Sequence, residues 1–411
     1  MTMPPELARA CAHVRPAGAD DVVAGVAARL VAEPVSTQEA GALMKAAAGL
    51  GLSVVPRGTG TRLTWGLPPA SCDLIVDTGR LDAVLEHAAG DLVVRVQAGV
   101  RLDDLQAKLA AEGQRLAVDP PGGATIGGLV ATNLTGPLRF RFGAPRDLLI
   151  GITVIRADGT IAKAGGKVVK NVAGYDLGKL FAGSYATLGL IAEVTFRLHP
   201  LPAAATWVTV NCAGPAAAAT AVHAMAGSPL APSAVELDWP EGAHSPCVVG
   251  ALIEGDEATV SERVDRLTDL LAKRGMTEVA AGPFLLGRPR PGHTALIRIA
   301  FWPGRLEAVL DLIRTSTADA AVSGQAGSGV LNVTVPADDG LGQFVTDIRG
   351  ALTKPAGSMP DASVVVLDAP PPVRDAIDMW GPVPSPELMR AVKDQFDPEH
   401  RMAPGRFAGG I

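Results

Sequence analysis

Cysteine is scarce in this chain, and its four residues, Cys11, Cys72, Cys212 and Cys247, are far apart. None belongs to a C-x-x-C pair, so the sequence excludes a local iron–sulfur or zinc knuckle and offers no disulfide framework. The seven histidines include no close pair. We therefore predict no metal site.

Aromatic residues make up only 4% of the chain, so alanine, valine and leucine must fill the core. The net charge is −6 and no basic stripe occurs, which argues against nucleic acid as a partner. No uncharged apolar run reaches the roughly 18 residues that a membrane span requires. The first residues also lack the basic-then-apolar pattern of a signal peptide. We expect a cytoplasmic protein, or one peripheral to the inner membrane within a complex, that contacts the membrane only through partners.

Glycine is abundant, with 47 residues, and three glycine-rich segments lie against apolar strand patterns. They are residues 56–62 (PRGTGTR), 120–128 (PPGGATIGG) and 183–191 (GSYATLGLI). Glycine allows positive φ and close backbone approach, and successive N–H groups in such turns form concave anion sites. Together the segments indicate a diphosphate held by several strand-to-loop junctions. The alternative, ordinary tight turns, stays open for any single segment.

The common phosphate motifs do not fit these segments. A dinucleotide fingerprint G-x-G-x-x-G needs a third glycine where Leu63 stands. A P-loop needs an earlier glycine, but Gly166-Lys167 is preceded at that slot by Ile161 and Gly178-Lys179 by Ala173. We therefore predict a dinucleotide bound by loops between strands rather than by one helix N-terminus.

Residues 20–202 alternate short strands, helices and glycine turns, which predicts one domain. Ser36 and Glu39 read as a capping box. The helix that follows would bury one face, formed by Ala40, Leu43, Met44, Ala47 and Leu50. Leu148 to Ile155, the turn at residues 157–160 and Ile161 predict a hairpin.

Beyond Leu201-Pro202 the pattern changes to α+β. Predicted strands are 207–210, 248–253, 296–301, 330–335 and 364–367, and predicted helices are 257–273, 306–315 and 342–352. This mixture indicates an antiparallel sheet in a second domain, residues 203–385. A last helix, 386–396, and a glycine-rich tail make up residues 386–411, which we expect to return to the first domain.

The order of the three glycine segments resembles the FAD-binding domain of the vanillyl-alcohol-oxidase and p-cresol-methylhydroxylase (PCMH) superfamily. Residues 166–176 (GKVVKNVAGYD), together with the ending Phe396-Asp397-Pro398 and Pro404-Gly405-Arg406-Phe407, are similar to the FAD-binding E subunit family of bacterial glycolate oxidase (glycolate dehydrogenase). The resemblance implies an α+β fold: a PCMH-type FAD-binding domain of two α/β subdomains and a smaller α+β cap domain with an antiparallel sheet.

The resemblance also implies that residues 57–61 wrap the FAD pyrophosphate, residues 122–128 close over the pyrophosphate and ribityl chain, and residues 183–191 pass near the adenine half. The flavin ring would lie between the two domains. FAD should be noncovalent because the first segment has no histidine. The implied cofactor-binding residues are Arg57, Gly58, Thr59, Gly60, Thr61, Pro121, Gly122, Gly123, Thr125, Ile126, Gly127, Gly128, Thr132, Gly183, Thr187, Leu188, Gly189 and Ile191.

Catalytic relatives in this superfamily use histidines near a His-Ala-Gly-Asp-Gly-Asn-type loop. The counterpart here, residues 325–331 (QAGSGVL), lacks both the acid and the histidines. Lys170 and Tyr175 are the remaining catalytic candidates: Lys170 could stabilise negative charge on reduced flavin or a carboxylate, and Tyr175 could donate a hydrogen bond nearby. A solvated lysine and a half-buried structural tyrosine are the alternative.

The resemblance implies a subunit of a complex that oxidises glycolate, or another small 2-hydroxy acid, to the oxo acid by hydride transfer to flavin. Its partners would be a sister FAD-containing catalytic subunit and an iron–sulfur subunit, because this chain has no cluster ligands. Two alternatives stay open: a stand-alone FAD-dependent oxidoreductase, and a structural subunit that binds flavin without redox work.

Overall fold

The computed structural model describes residues 3–167, 176–240, 245–276, 278–282, 284, 294–317, 319–352 and 362–411. The first strands along the chain are β1 (Val14–Pro16), β2 (Val22–Val23), β3 (Val26–Ala27), β4 (Leu30–Ala32), β5 (Val54–Arg57), β6 (Leu74–Asp77), β7 (Val84–Ala88), β8 (Val93–Gln97), β9 (Gln114–Arg115), β10 (Leu149–Ile155), β11 (Ile161–Gly165), β12 (Leu190–Arg197) and β13 (His199–Pro200). They are followed by β14 (Ala204–Cys212), β15 (Ala234–Trp239), β16 (Cys247–Gly255), β17 (Val279–Gly282), β18 (Thr294–Phe301), β19 (Ala321–Gly324), β20 (Val330–Pro336) and β21 (Ala362–Asp368).

The helices are α1 (Pro5–Ala10), α2 (Thr37–Gly49), α3 (Leu102–Ala110), α4 (Ile126–Thr132), α5 (Arg139–Phe142), α6 (Pro145–Leu148), α7 (Gly178–Phe181), α8 (Pro215–Ala226), α9 (Glu257–Ala272), α10 (Leu306–Ser316), α11 (Leu341–Leu352), α12 (Pro371–Arg374) and α13 (Pro386–Phe396). Short 3₁₀ turns occur at Ala89–Asp91, Pro303–Arg305, Ala326–Ser328 and Ala408–Gly410.

The chain divides into two units, of which unit 1 comprises residues 1–135, 143–201 and 385–411, and unit 2 comprises residues 136–142 and 202–384. Residues 136–142 belong to unit 2 because Leu138 packs with Ala234 and Leu252. Local sequence patterns do not predict such a long-range contact. The limits 20–202, 203–385 and 386–411 stay predictions of domain boundaries.

Unit 1 contains two main sheets. The first has the order β1-β4-β6-β5, in which β4, β6 and β5 run parallel and β1 is antiparallel. The second has the order β11-β10-β12-β8-β7 and is antiparallel throughout. The predicted hairpin is confirmed as β10–β11, with Ile155 opposite Ile161.

Helix α2 joins these sheets through its apolar face. Ala40, Leu43, Met44 and Ala47 are buried as predicted, in a core that includes Leu74 of one sheet and residues of β10 and β12 from the other. Each fully buried leucine or methionine contributes about 1.5–3 kcal/mol to folding. Leu50 was expected on this face but is exposed, because it caps the helix beyond its last turn.

Of the two hydrogen bonds that define the predicted capping box at α2, one is present. Ser36 Oγ accepts from the Glu39 N–H, as predicted. The Glu39 carboxylate does not return to the Ser36 N–H; it accepts from the N–H groups of Val35 (2.7 Å) and Ala12 (2.8 Å). Glu39 therefore also fixes the chain that leaves α1.

Unit 2 is built on an eight-stranded sheet of order β17-β14-β16-β15-β19-β20-β18-β21. All of its described pairings are antiparallel, as the sequence predicts. Strand β15 was missed because its acidic residues, Glu236 and Asp238, read as solvent-facing although both are buried. Strand β19 was missed because it has only four residues.

Two cysteines that are distant in sequence become neighbours in unit 2. Cys212 of β14 pairs directly with Cys247 of β16, and both are buried, free thiols. The hydrogen bond with Cys247, followed by burial, raises the pKa of Cys212. The Cys212 thiol is therefore a protonated packing group at neutral pH.

Candidate functional site

All three glycine segments contribute to one cavity in unit 1. The first segment supplies Pro56, Arg57, Gly58, Thr59, Gly60, Thr61 and Arg62, the second supplies Ala124, Thr125 and Gly128, and the third supplies Tyr185 and Ala186. Leu63, Ala131, Thr132, Leu134 and Arg406 complete the lining. Segments separated by about 130 residues of chain thus meet at one place, as a shared ligand would require.

The backbone of this cavity presents unused donors. Within the described part of the chain, no residue accepts a hydrogen bond from the N–H groups of 58–61, nor from those of Ala124 and Thr125. Ala124 and Thr125 are buried. Because buried backbone N–H groups are nearly always satisfied, these donors indicate a bound acceptor such as an anion.

Close contacts hold the first two segments together. A Cβ built on Gly58 would lie 2.2 Å from Thr125 Oγ1, so any other residue here would force Thr125 or the loop to move. The Thr59 hydroxyl donates to the Gly123 carbonyl oxygen. Thr125 is also the N-cap of α4, where its Oγ1 accepts from the Gly128 N–H at 3.3 Å. The loop after β5 is therefore locked onto the start of α4.

The third segment is attached to the other end of α4. The N–H groups of Gly183 and Tyr185 donate to the carbonyls of Val130 and Ala131, both at 2.9 Å. Tyr185 and Ala186 both have positive φ, 53° and 62°. Two successive non-glycine residues in this region are unusual, and such strain collects at ligand sites. Helix α4 thus links all three segments.

Comparisons with known proteins agree with this geometry. A family model described as an FAD binding domain matches residues 28–165. Residues 28–165 form an FAD-binding domain. The match contains the first two glycine segments, and the third lies beyond it.

The chain is also similar to proteins named as glycolate oxidase subunits. The chain is 33% identical over 213 residues to "Glycolate oxidase subunit GlcD" of Bacillus subtilis, which covers 51% of this chain and 45% of that protein. It is 36% identical over 154 residues to "Glycolate oxidase subunit GlcE" of Escherichia coli K12, which covers 37% of this chain and 43% of that protein. The chain therefore matches less than half the length of these relatives.

A solved structure extends the likeness in fold. The chain aligns with the structure titled p-cresol methylhydroxylase with substrate bound at a TM-score of 0.75 and 14% identity. The alignment covers 98% of this chain and 95% of the p-cresol methylhydroxylase chain. This confirms the predicted α+β fold of the PCMH type. At this identity the likeness concerns the fold alone.

Arg57 of the FAD-binding domain is held by two carboxylates. Its Nη1 lies 2.8 Å from Asp21 Oδ1, and its Nη2 lies 2.8 Å from Asp77 Oδ2. Burial lowers the pKa of Arg57, but the hydrogen bonds to Asp21 and Asp77 outweigh it, so the net pKa is raised. Its positive charge is thus neutralised locally, and the amides of residues 58–61, Ala124 and Thr125 are the main-chain donors for an anion.

Asp21 is the buried member of this ion cluster. The hydrogen bond from Arg15, with smaller contributions from the Gly18 N–H and Arg57, holds the pKa of Asp21 well below its usual range. A carboxyl with a depressed folded-state pKa contributes stability above its unfolded pKa, and this contribution is lost as the pH falls below it.

We therefore expect Asp21→Asn to lower the free energy of unfolding by about 2 kcal/mol at pH 7, since hydrogen bonds to charged groups are lost. The deficit should shrink below about pH 4, where the wild-type carboxyl begins to protonate. Urea unfolding at pH 7 and in the acid range measures both effects. The exposed neighbour is the control: Asp20→Asn should change little, and an equal loss there would contradict the role of Asp21.

Several predicted cofactor residues support the cavity from outside its lining. Ile126 is buried, and its N–H donates to the Val100 carbonyl. Gly127 faces Ala98, where an added Cβ would lie 2.8 Å from the Ala98 Cβ. Gly127 therefore allows α4 to pack on the chain after β8. The other predicted residues outside the lining are Pro121, Gly122, Gly123, Gly183, Thr187, Leu188, Gly189 and Ile191.

Thr132 lines the cavity, and its hydroxyl donates to the Gly128 carbonyl at 2.7 Å. Lys170 and Tyr175 lie outside the described residues, so their placement stays a prediction.

The C-terminal segment is a part of the site that sequence reasoning left without a role. Lys393 Nζ donates to Asp397 (2.7 Å), to the Thr187 carbonyl (2.7 Å) and to the Met402 carbonyl (2.9 Å). Lys393 and Asp397 are fully buried, and burial lowers the pKa of Lys393 against the opposing effect of Asp397. Lys393, paired with Asp397 of the motif Phe396-Asp397-Pro398, thus ties the tail to the third glycine segment.

Two further findings concern the described residues only. They contain no helix that is both long and apolar enough to cross a membrane. They also bring no three His, Cys, Asp or Glu side chains together in a group able to hold a metal ion.

Proposed function

We propose that this chain is an FAD-binding subunit of a complex that oxidises glycolate, or a similar 2-hydroxy acid, to the oxo acid. The observation that carries the proposal is the cavity where three glycine segments meet, and where N–H groups of the first two segments have no acceptor among the residues that the structure describes. An acidic protein can bind a diphosphate in this way, because main-chain amides supply the donors. The matches to proteins named glycolate oxidase subunits supply the substrate class.

FAD, when bound, would accept the hydride that leaves the substrate carbon. In this proposal the N–H groups of residues 58–61, Ala124 and Thr125 bind the diphosphate. Thr59 and Thr125 hold the two loops at the required separation. Lys170 is proposed to bring positive charge to the reacting groups, with Tyr175 as a nearby hydrogen-bond donor.

Dependence on a partner is the finer part of the proposal. The loop 325–331 has neither the acid nor the histidines of catalytic relatives. It includes a partly buried 3₁₀ turn whose Gly327 packs against Phe140 and Val235. We infer that a sister flavoprotein carries the substrate site and that an iron–sulfur subunit carries electrons onward, since this chain lacks clustered cysteines. The absence of histidine in the first segment favours noncovalent FAD.

The experiment compares the purified chain with the chain co-expressed with its genomic neighbours. We expect a yellow protein that releases one FAD into the supernatant on acid precipitation, as noncovalent binding requires. Adding glycolate or D-lactate without oxygen should bleach the flavin only in the co-expressed assembly.

Three other outcomes would contradict parts of the proposal. A chain that purifies without flavin refutes FAD binding. Bleaching of the isolated chain indicates a stand-alone oxidoreductase. Flavin that stays oxidised even in the full assembly indicates a structural subunit.

A further inference from the structure

One side chain of the C-terminal segment reaches the cavity. Arg406 lines it together with the first glycine segment, although 343 residues of sequence separate Arg406 from Leu63. Its side chain is buried, with 4% of the residue exposed. Arg406 thus connects two distant parts of the chain at the proposed diphosphate site.

Arg406 holds the end of the loop that carries the unused amides. Its Nη2 donates to the carbonyls of Leu63 at 2.8 Å and Trp65 at 2.7 Å. The Leu63 N–H in turn donates to the Gly60 carbonyl at 3.2 Å. These bonds close the loop after Gly58 into a compact turn, because both ends of residues 58–63 are then tied to fixed groups.

The main chain around Arg406 is itself fixed beside β5. The Val54 N–H donates to the Arg401 carbonyl and the Ala403 N–H donates to the Val54 carbonyl, both at 2.8 Å. Met402 forms a parallel bridge with Val54. The tail is therefore held beside β5 by a one-residue bridge, and Gly405 with φ of 80° turns the chain so that Arg406 reaches the loop.

We propose that Arg406 is a positioning residue of the FAD site. It fixes residues 58–63 in the conformation whose amides bind the diphosphate, and so makes the C-terminal segment part of the cofactor site. The inference rests on the proposed function in that it takes FAD as the ligand. A hydrogen bond from a charged donor is strong enough to fix the conformation of a loop, and here one guanidinium group donates to two carbonyls.

The test uses the full chain freed of flavin and compares two buried arginines of the same segment. Arg401 is also buried and donates Nη2 to the Ala157 carbonyl at 2.8 Å, but it does not line the cavity. Arg406→Gln is expected to raise the Kd for FAD about 10- to 100-fold. Arg401→Gln should lower the Tm of the flavin-free protein about as much as Arg406→Gln does, but it should leave the Kd for FAD within about twofold of the wild-type value.

Two additional measurements separate positioning from general damage. The Kd for ADP, which carries the diphosphate without the flavin ring, should rise by the same factor in Arg406→Gln. Arg406→Lys should recover part of the affinity, because an ammonium can reach one carbonyl but lacks the planar fork. If Arg406→Gln does not fold, the Kd of Arg406→Lys provides the test instead.

The outcomes distinguish this inference from the proposed function. If wild-type protein binds no FAD, the proposed function fails. If wild-type protein binds FAD and Arg406→Gln keeps its affinity, or if Arg401→Gln weakens binding equally, the positioning role is overturned. A loss for FAD with unchanged ADP binding would also overturn it, since the effect would then lie away from the diphosphate.

Discussion

Gly58→Ala is expected to weaken FAD binding roughly 5- to 150-fold, because overpacking costs about 1–3 kcal/mol and 1.4 kcal/mol is a factor of ten. The new Cβ would lie 2.2 Å from Thr125 Oγ1, so the loop after β5 must move away from α4. That movement separates the amides of residues 58–61 from those of Ala124 and Thr125. Fluorescence titration of the flavin-free protein with FAD measures the change in Kd.

The matched control is Gly90→Ala, since a Cβ there meets no heavy atom within 4 Å. Its Kd should equal that of the wild type. The double variant Gly58→Ala/Thr125→Ala removes the atoms at 2.2 and 3.0 Å and should lose less affinity than the two single changes predict together. Additive losses would mean that the added methyl group obstructs the ligand itself. Unchanged affinity in Gly58→Ala would contradict the assignment of this loop.

Lys393→Met is expected to destabilise the protein by about 3–5 kcal/mol, because it leaves the buried Asp397 carboxylate without its cation. Among the described residues, Asp397 would keep the N–H groups of Arg401 (3.0 Å) and Met402 (2.7 Å), and the Thr187 carbonyl would lose the Lys393 donor. The free energy of unfolding in urea measures the loss.

A surface pair at the end of the same helix provides the control. Asp394 pairs with His400 at 2.7 Å, but both side chains are about half exposed, so Asp394→Asn should cost at most about 1 kcal/mol. The double variant Lys393→Met/Asp397→Asn should recover part of the loss, since no buried charge remains. A Lys393→Met protein as stable as the wild type would show that the buried pair is not needed to hold the tail.

Local pattern was sufficient for some of the elements. The apolar spacing predicted α2 and its buried face, and the turn at residues 157–160 predicted the β10–β11 hairpin, because both depend on neighbours within a few residues. The sequence missed β15, whose buried acids contradict the usual link between charge and exposure.

The sequence likewise indicated some features of the site and missed others. The glycine segments were recognisable because positive φ and close approach restrict residue type locally. Gly58 was assigned to ligand approach, yet the atom nearest its missing Cβ belongs to Thr125. Arg57 reads as an anion-binding cation, yet Asp21 and Asp77 neutralise it.

The amino-acid sequence by itself determined the α+β class, the three glycine turns and the resemblance to flavin-binding proteins, because those features depend on residue types at short spacing. Only the tertiary structure decided that the turns meet at α4, that 136–142 belongs to unit 2, and that Lys393 and Arg406 brace the cavity. Those pairings depend on which distant backbone carbonyls become neighbours, and a carbonyl group is the same at every position of a sequence.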